Sequence, residues 1–191
     1  SLLHRYIPDQ EYIDVVENIC ETLAKRGHTL IFGAGGSGLM GAAARGFKKG
    51  GGRVAGVVPV FFQDQKIEEL FDKCDNIIYT RDMGARKEVM EENADAFLVV
   101  PGGIGTFDEF FQILTLRQLR QINKPIALFS IKGYYSAVQT LMKMGEFEKF
   151  LREDTSTLYR YFEDGEEEAL IEYLETPPDP YDLEFGKLKY K

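Results

Sequence analysis

The sequence predicts an α/β fold, with a doubly wound, mostly parallel sheet flanked by helices in a single domain. Short apolar runs typical of buried strands alternate with segments whose apolar residues recur at helical spacing. Strands and helices that alternate in this way form a parallel sheet covered on both faces. Two of the strands are followed by glycine-rich turns, at residues 33–38 and 101–106. Open parallel sheets bind ligands beyond the carboxyl ends of their strands, where both turns are expected to lie.

The first half of the chain is predicted to alternate between helices and short strands. Helices are expected at residues 9–26, 39–49, 67–73 and 82–93, and strands at 29–32, 53–58 and 76–80. The first helix carries apolar residues at the spacing of one buried face, and Gly27 ends it. Phe61 and Phe62, which follow the second strand, are predicted either to join the core or to stack on a base.

The second half of the chain continues this alternation and ends in a tail. Strands are expected at residues 96–100, 126–131 and 157–162, and helices at 110–119, 134–144 and 166–174. The proline-rich segment that follows favours an extended, peripheral conformation. A length of 191 residues suits one domain, so we expect a nucleotide-binding domain over 1–175 and a tail over 176–191.

Composition and charge exclude several classes of protein. A net charge of −8 argues against a groove for nucleic acid. No apolar run is long enough to span a bilayer. Cys20 and Cys74 form neither a metal-binding spacing nor a disulfide framework, which indicates reduced thiols in a cytoplasmic protein. No cluster of metal ligands is visible, so neither a metal nor a cofactor is expected.

The central motif is the segment Pro101–Glu109, which joins a buried strand to a helix. Its glycines allow a sharp bend and the close approach of a ligand. The first amides of a helix lack partners within the helix and, with the helix dipole, form an anion site suited to phosphate. Thr106 is the expected N-cap, and Asp108 and Glu109 fall in the expected first turn. Acidic residues there are favoured by the dipole alone, so a purely structural role for both carboxylates stays open.

The earlier glycine turn, Gly33–Gly38, fits the G-x-G-x-x-G pattern of dinucleotide-binding proteins. That pattern also requires an acidic residue at the end of the next strand to hold the ribose. Here no carboxylate follows until Asp64, which argues against NAD. Neither turn carries the lysine and hydroxyl residue of a Walker A loop. Two such turns suit a mononucleotide with one phosphate.

A third feature is the helix start that contains Asp82 and Arg86. Asp82 is a plausible N-cap, and Arg86 lies one turn further on. A charged side chain there is often only solvated. An arginine near the end of a third strand could equally clamp a phosphate or a carboxylate with its fork of donors.

In this order the motifs resemble the LOG (LONELY GUY) family of cytokinin riboside 5'-monophosphate phosphoribohydrolases, whose members were often labelled lysine decarboxylases. The similar segments are residues 35–41, 86–87, 101–109, 124–126 and 133–135, within a resemblance that spans about residues 9–175. The resemblance implies a Rossmann-like fold, a homodimer and no cofactor. It also implies hydrolysis of a nucleoside 5'-monophosphate, such as AMP, to free base and ribose 5-phosphate.

The resemblance also implies roles for individual residues. By position, Arg86 and Glu109 match the catalytic pair of the family. The expected contacts to substrate and phosphate are Gly102, Gly103, Gly105, Thr106, Gly35, Gly36, Ser37 and Lys87.

This sequence departs from the family pattern in three places. The strand that normally precedes the first helix is absent, so we expect residues before Ser1 in the native protein. Gly84 stands where many members carry a larger residue, and Leu116 stands where many carry tryptophan. The last two departures bear on the choice of base, adenine or prenylated adenine, more than on the chemistry.

The residues themselves support a glycosidase mechanism. Cleavage of a ribose–base bond builds positive charge on the sugar, which a carboxylate can stabilise while it orients or deprotonates water. Glu109 suits this role, and Asp108 points elsewhere because successive helical residues differ by about 100°. The alternative is a nucleotide carrier of the same fold without turnover. Lysine decarboxylation is disfavoured because nothing marks Lys87 or Lys124 as a Schiff-base lysine.

Overall fold

The computed structural model describes residues 7–65 and 69–180. The chain divides into two compact units at the boundary between Ala94 and Asp95. Each unit contains a three-stranded, all-parallel sheet with helices packed against it, which confirms the predicted α/β class. The single domain expected over residues 1–175 stays a prediction, and each unit is described by itself below.

The first unit is built around strands β1 (Thr29–Phe32), β2 (Arg53–Pro59) and β3 (Asn76–Thr80). Its helices are α1 (Gln10–Lys25), α2 (Gly38–Lys49), α3 (Phe61–Gln65) and α4 (Met83–Asn93). The strand order is β1-β2-β3, with Phe32 opposite Gly56 and Val58 opposite Tyr79. All three strands lie where the sequence predicts them.

Two segments of the first unit differ from the prediction. The short helix α3 was not predicted, because Phe61 and Phe62 suit a buried segment after a strand as well as they suit a helix. The helix predicted at 67–73 is not present in its described part, and residues 66–68 lie outside the described residues. Leu70 instead forms an isolated antiparallel bridge with Gly35. The backbone of 69–71 bonds to the first glycine turn, which prevents a helical ladder there.

Helices α1 and α2 pack closely because small residues line their contact. Val16, Ile19 and Cys20 are buried on α1, as the apolar spacing predicts. A methyl group added at Gly46 of α2 would overlap the carbonyl oxygen of Glu17 on α1. The Glu17 side chain also pairs with Lys49 and Arg45 of α2, and the Lys49 contact is the main cause that lowers the pKa of Glu17.

The second unit is built around strands β4 (Phe97–Val99), β5 (Ile126–Ser130) and β6 (Arg160–Glu163), in that order. Its helices are α5 (Ile104–Gln118), α6 (Ser136–Phe147) and α7 (Glu167–Glu175). Short 3-10 turns cover Ile131–Gly133 and Thr155–Thr157. The strand predicted from residue 157 begins only at Arg160, because the Thr157 amide and hydroxyl both bond to the carbonyl of Asp154.

The core of the second unit lies between β5 and helices α5 and α6. Every residue of β5 is buried, as expected for the central strand of a parallel sheet. The buried cluster around it contains Val99, Phe110, Ile113, Leu114, Ile126, Leu128, Tyr135, Met142 and Tyr159. Residues 176–180 are irregular, and Asn123 donates a hydrogen bond to the carbonyl of Asp179. Within the described residues, no helix is both long and apolar enough to cross a membrane.

Candidate functional site

The glycine turn of the second unit lies between the end of β4 and the start of α5. Gly103 is the N-cap in an extended conformation (φ −99°, ψ −155°), and its carbonyl accepts the first helical hydrogen bond, from Phe107 at 3.1 Å. Thr106, predicted as the N-cap, is therefore the third residue of the helix. Asp108 and Glu109 consequently lie in the second turn rather than the first. The prediction was wrong because glycine, which lacks a capping side chain, begins the helix here.

This turn presents an open face. An added Cβ at Gly103 or Gly105 would meet no atom of the described residues within 4 Å. The first N–H groups of α5 have no acceptor within the helix, which leaves donors for an anion. Gly102 differs, because a methyl group there would overlap the hydroxyl of Thr106. Thr106 thus packs on the turn at Gly102, whereas Gly103 and Gly105 leave room for a ligand.

The two acidic residues of α5 differ in their surroundings. Asp108 is exposed, and Glu109 is half-buried. Successive residues of a helix point about 100° apart, so the two carboxylates face different directions. Glu109 therefore lies in a more shielded position, less than two helical turns from the start of α5.

Helix α4 positions Arg86 in the first unit. The Oδ1 atom of Asp82 accepts a hydrogen bond from the amide of Ala85 at 2.8 Å, which confirms Asp82 as the N-cap. That amide, followed by the Arg81 side chain, lowers the pKa of the Asp82 carboxyl. A capped first turn fixes the direction of the helix and hence the position of Arg86 in its second turn.

The guanidinium of Arg86 is buried rather than solvated. Arg86 is 6% exposed, and its Nε atom has no hydrogen-bond partner among the described residues. Its carbon Cζ lies 5.7 Å from the ring centroid of Phe62, within reach of a cation–π contact. Nη1 lies 3.8 Å from the sulfur of Met83. Among the described residues this buried cation keeps one unsatisfied donor, which favours an anionic ligand because buried polar groups without partners are costly.

Gly33 provides the seat for this guanidinium. A methyl group added at Gly33 would overlap Nη2 of Arg86. The first glycine of the G-x-G-x-x-G pattern is therefore needed for packing inside the chain. Neither this role of Gly33 nor the contact between Phe62 and Arg86 was predicted from the sequence, although both residues follow the ends of the neighbouring strands β1 and β2.

The rest of the first glycine turn is bonded to its own chain. The amide of Gly36 donates to the carbonyl of Glu69 at 2.8 Å, and the amide of Phe71 donates to the carbonyl of Ala34 at 2.8 Å. A methyl group at Gly41 would overlap the carbonyl of Gly36. The Gly36 amide thus has an acceptor within the chain, and the predicted roles of Gly35, Gly36 and Ser37 in substrate binding stay proposals.

Three further residues singled out from the sequence lie on helices α4 and α5. Lys87 follows Arg86 on α4 and is half-buried. Gly84 is exposed, and an added Cβ would lie 3.3 Å from Oδ1 of Asp82. Leu116 is half-buried on α5. The first unit therefore brings Arg86 to the Gly33 turn, and the second brings Thr106 to the Gly102 turn. Among the described residues, no group of three or more metal-ligating side chains is present.

A family model matches most of the chain. The model of the family described as "Possible lysine decarboxylase" matches residues 40–173. This range includes Arg86, Glu109 and the second glycine turn.

Two plant proteins illustrate the similar sequences. The rice protein named "Probable cytokinin riboside 5'-monophosphate phosphoribohydrolase LOGL3" is 32% identical over 140 residues, 73% of this chain. The Arabidopsis thaliana protein named "Cytokinin riboside 5'-monophosphate phosphoribohydrolase LOG5" is 30% identical over 141 residues, 74% of this chain. The matched regions span 65% and 61% of the length of these two relatives.

Solved structures of the same fold include a protein with a different named role. The molybdenum cofactor carrier protein of Chlamydomonas reinhardtii aligns with a TM-score of 0.64 and 21% identity. The alignment covers 87% of this chain and 90% of that one. At this identity the likeness shows the fold alone.

Proposed function

We propose a function for this chain from the premise that it belongs to the LOG family, as the family model and the plant relatives show. The proposed activity is hydrolysis of the N-glycosidic bond of a purine nucleoside 5'-monophosphate to free base and ribose 5-phosphate. No metal or cofactor enters this proposal. We also propose that the chain acts as a homodimer, as the family resemblance implies.

The observation that carries this proposal is an open glycine turn and a shielded carboxylate on one helix. The open glycine turn at the start of α5 offers amide donors to a phosphate, and Glu109 follows on the same helix. A phosphate bound at the turn would hold the substrate by a group remote from the reacting bond. Binding energy from that group then positions the ribose for reaction at its anomeric carbon.

The proposed chemistry needs one carboxylate and one water molecule. The bond between the anomeric carbon and the base nitrogen breaks, and its electron pair leaves with the base. Positive charge builds on the sugar, and the Glu109 carboxylate stabilises it. Water adds its oxygen to the anomeric carbon and gives one proton to Glu109, which passes that proton to the base nitrogen. The products are free base and ribose 5-phosphate.

Arg86 supplies the positive charge in this proposal. Its guanidinium is buried over Gly33 with an unsatisfied Nε donor, which suits an anionic partner. We propose that Arg86, like Glu109, takes part in the reaction, with its guanidinium binding an anionic group of the substrate. Lys87, Gly35, Gly36 and Ser37 are proposed as further substrate contacts.

The choice of base belongs to the same proposal. The relatives are named for cytokinin riboside monophosphates, which carry modified adenines. We propose that this chain accepts AMP or a prenylated analogue. Gly84 and Leu116, both smaller than the residues common at these positions in the family, are proposed to influence which of the two is preferred.

The second candidate is a non-catalytic carrier of a phosphorylated ligand. Its support is the likeness in fold to the molybdenum cofactor carrier protein of Chlamydomonas reinhardtii. A carrier needs the anion site but not the carboxylate at Glu109. The presence of Glu109 and Arg86 together favours the hydrolase.

Substitution of Glu109 separates the two candidates. Glu109→Gln keeps the size of the side chain but removes its charge, so base release from AMP should fall at least about 100-fold while the fold is kept. Asp108→Asn makes the same chemical change at the exposed neighbour and should retain activity within about threefold. Release of base is read by chromatography, and folding by circular dichroism. Full activity in Glu109→Gln would contradict the catalytic role.

A further inference from the structure

Two adjacent tyrosines fasten the glycine turn of the second unit. The hydroxyl of Tyr134 donates to the carbonyl of Gly102 at 2.5 Å, and the hydroxyl of Tyr135 donates to the carbonyl of Val100 at 2.6 Å. The ring of Tyr135 also packs edge-on against Phe107 of α5, with centroids 6.4 Å apart. Both carbonyls that flank Pro101 are therefore held from the start of α6.

The chain reversal before α6 places these tyrosines. Lys132 and Gly133 have left-handed backbone conformations, with φ of 52° and 72°. The amide of Lys132 donates to Asp164 at 2.9 Å, and the amide of Tyr135 donates to the buried hydroxyl of Ser130 at 3.0 Å. These two hydrogen bonds hold the reversal from both sides and thereby place the two tyrosines.

The hydrogen bond from Tyr134 holds a peptide group that could otherwise flip easily. In a trans peptide the carbonyl of one residue and the amide of the next point in opposite directions. With the Gly102 carbonyl held by Tyr134, the Gly103 amide points away from the tyrosine. Both residues of this peptide are glycines, which tolerate the backbone angles of the flipped form. A flip would replace an amide donor with a carbonyl oxygen, which repels an anion.

We propose that Tyr134 is a positioning residue that locks the Gly102–Gly103 peptide with its amide available to an anionic ligand. Tyr135 has a structural role beside it, because it is buried and holds the end of β4. This inference rests on the proposed binding of phosphate at the turn. Tyr134 acts through the peptide and takes no part in the chemical step.

The test uses Tyr134→Phe, which removes the hydroxyl and keeps the ring. Loss of one hydrogen bond should raise KM for AMP and the dissociation constant for ribose 5-phosphate roughly tenfold, with kcat changed less than about twofold. Tyr159→Phe is the matched control, since its hydroxyl donates to Gln139 at 2.7 Å in the same unit but away from the turn. That variant should lower thermal stability without weakening ribose 5-phosphate binding. An unchanged ribose 5-phosphate affinity in Tyr134→Phe would overturn the inference.

A double variant tests the flip itself. A flip carries the φ of Gly103 from −99° to a positive value, which alanine disfavours. In a chain that carries Gly103→Ala, the further effect of Tyr134→Phe on ribose 5-phosphate binding should therefore shrink to less than about threefold. An equal effect in both backgrounds would mean that Tyr134 contacts the ligand directly, which contradicts the positioning role.

The same measurements separate this inference from the proposed function. If the wild-type chain hydrolyses no nucleotide but binds ribose 5-phosphate, the hydrolase fails and the binding series still decides the role of Tyr134. If it hydrolyses AMP and Tyr134→Phe has an unchanged KM, the inference fails alone. A folded wild-type chain that neither hydrolyses AMP nor binds ribose 5-phosphate would overturn both.

Discussion

The two glycine-rich turns of this protein look alike in sequence but use their glycines differently. In the first unit, a methyl group at Gly33 would overlap the guanidinium of Arg86, and one at Gly41 of α2 would overlap the carbonyl of Gly36 in the turn. In the second unit, an added Cβ at Gly103 or Gly105 would meet no described atom within 4 Å. The first turn therefore needs glycine for internal packing, and the second leaves space where a ligand can approach.

This difference shows that a glycine motif does not by itself identify a phosphate site. The G-x-G-x-x-G pattern of the first unit seats the guanidinium of Arg86 and receives the backbone of residues 69–71. The motif of the second unit begins helix α5 with a glycine N-cap and leaves space around Gly103 and Gly105. Single glycine substitutions in the two turns should therefore differ in how much they change the free energy of unfolding and the binding of substrate.

The largest effect is expected for Gly33→Ala. The new methyl group overlaps the Arg86 guanidinium, which must move, so kcat/KM should fall about 100-fold. Overpacking should also lower the free energy of unfolding by about 1–3 kcal/mol. Steady-state kinetics with AMP and chemical denaturation measure the two effects.

A double-mutant cycle identifies the cause of that loss. In a chain that carries Arg86→Ala, the guanidinium is absent, so Gly33→Ala should change kcat/KM less than about threefold further. Independent, fully additive losses would contradict the idea that Gly33 exists to seat Arg86.

A smaller and different effect is expected for Gly103→Ala in the second turn. The backbone there is extended, with φ of −99°, and the space around an added Cβ is open. Unfolding free energy should fall by no more than about 1 kcal/mol, because glycine is preferred over alanine at an N-cap but this exposed position contributes no side-chain bond. KM for AMP should nevertheless rise about tenfold, since the methyl group occupies room for the phosphate. A strong loss of stability with an unchanged KM for AMP in Gly103→Ala would contradict the proposed difference between the two turns.

The smallest effect concerns the pH dependence of α4, which carries Arg86. The pKa of Asp82 is lowered below its ordinary 3.8, chiefly by the Ala85 amide. The capping contribution is therefore complete above that value and is lost as pH falls through the lowered pKa. Asp82→Asn keeps a capping oxygen but does not titrate. The free energy of unfolding of this variant should therefore fall less than that of the wild-type chain between about pH 5 and about pH 2. Thermal melts across this range measure the difference, and identical slopes in the two chains would contradict it.

Much of the fold could be predicted because its strands are apolar runs bounded by glycine or by helix signals. β1 and β3 begin and end where the sequence predicts, and Asp82 caps α4 as expected. The start of α5 was misplaced because a glycine N-cap carries no side-chain signal. The segment at 69–73 was misread because its backbone bonds to a turn more than thirty residues earlier. The burial of Arg86 over Gly33 is also a tertiary contact, which neither composition nor periodicity records.

The most direct test of the proposed hydrolase is incubation of the chain with AMP and with isopentenyladenosine monophosphate, without added metal. Free base and ribose 5-phosphate are measured by chromatography. We predict that at least one substrate yields both products in equal amounts, and that the ratio of rates gives the base preference. A folded chain that binds AMP but releases no base from either nucleotide would contradict the hydrolase and favour the carrier.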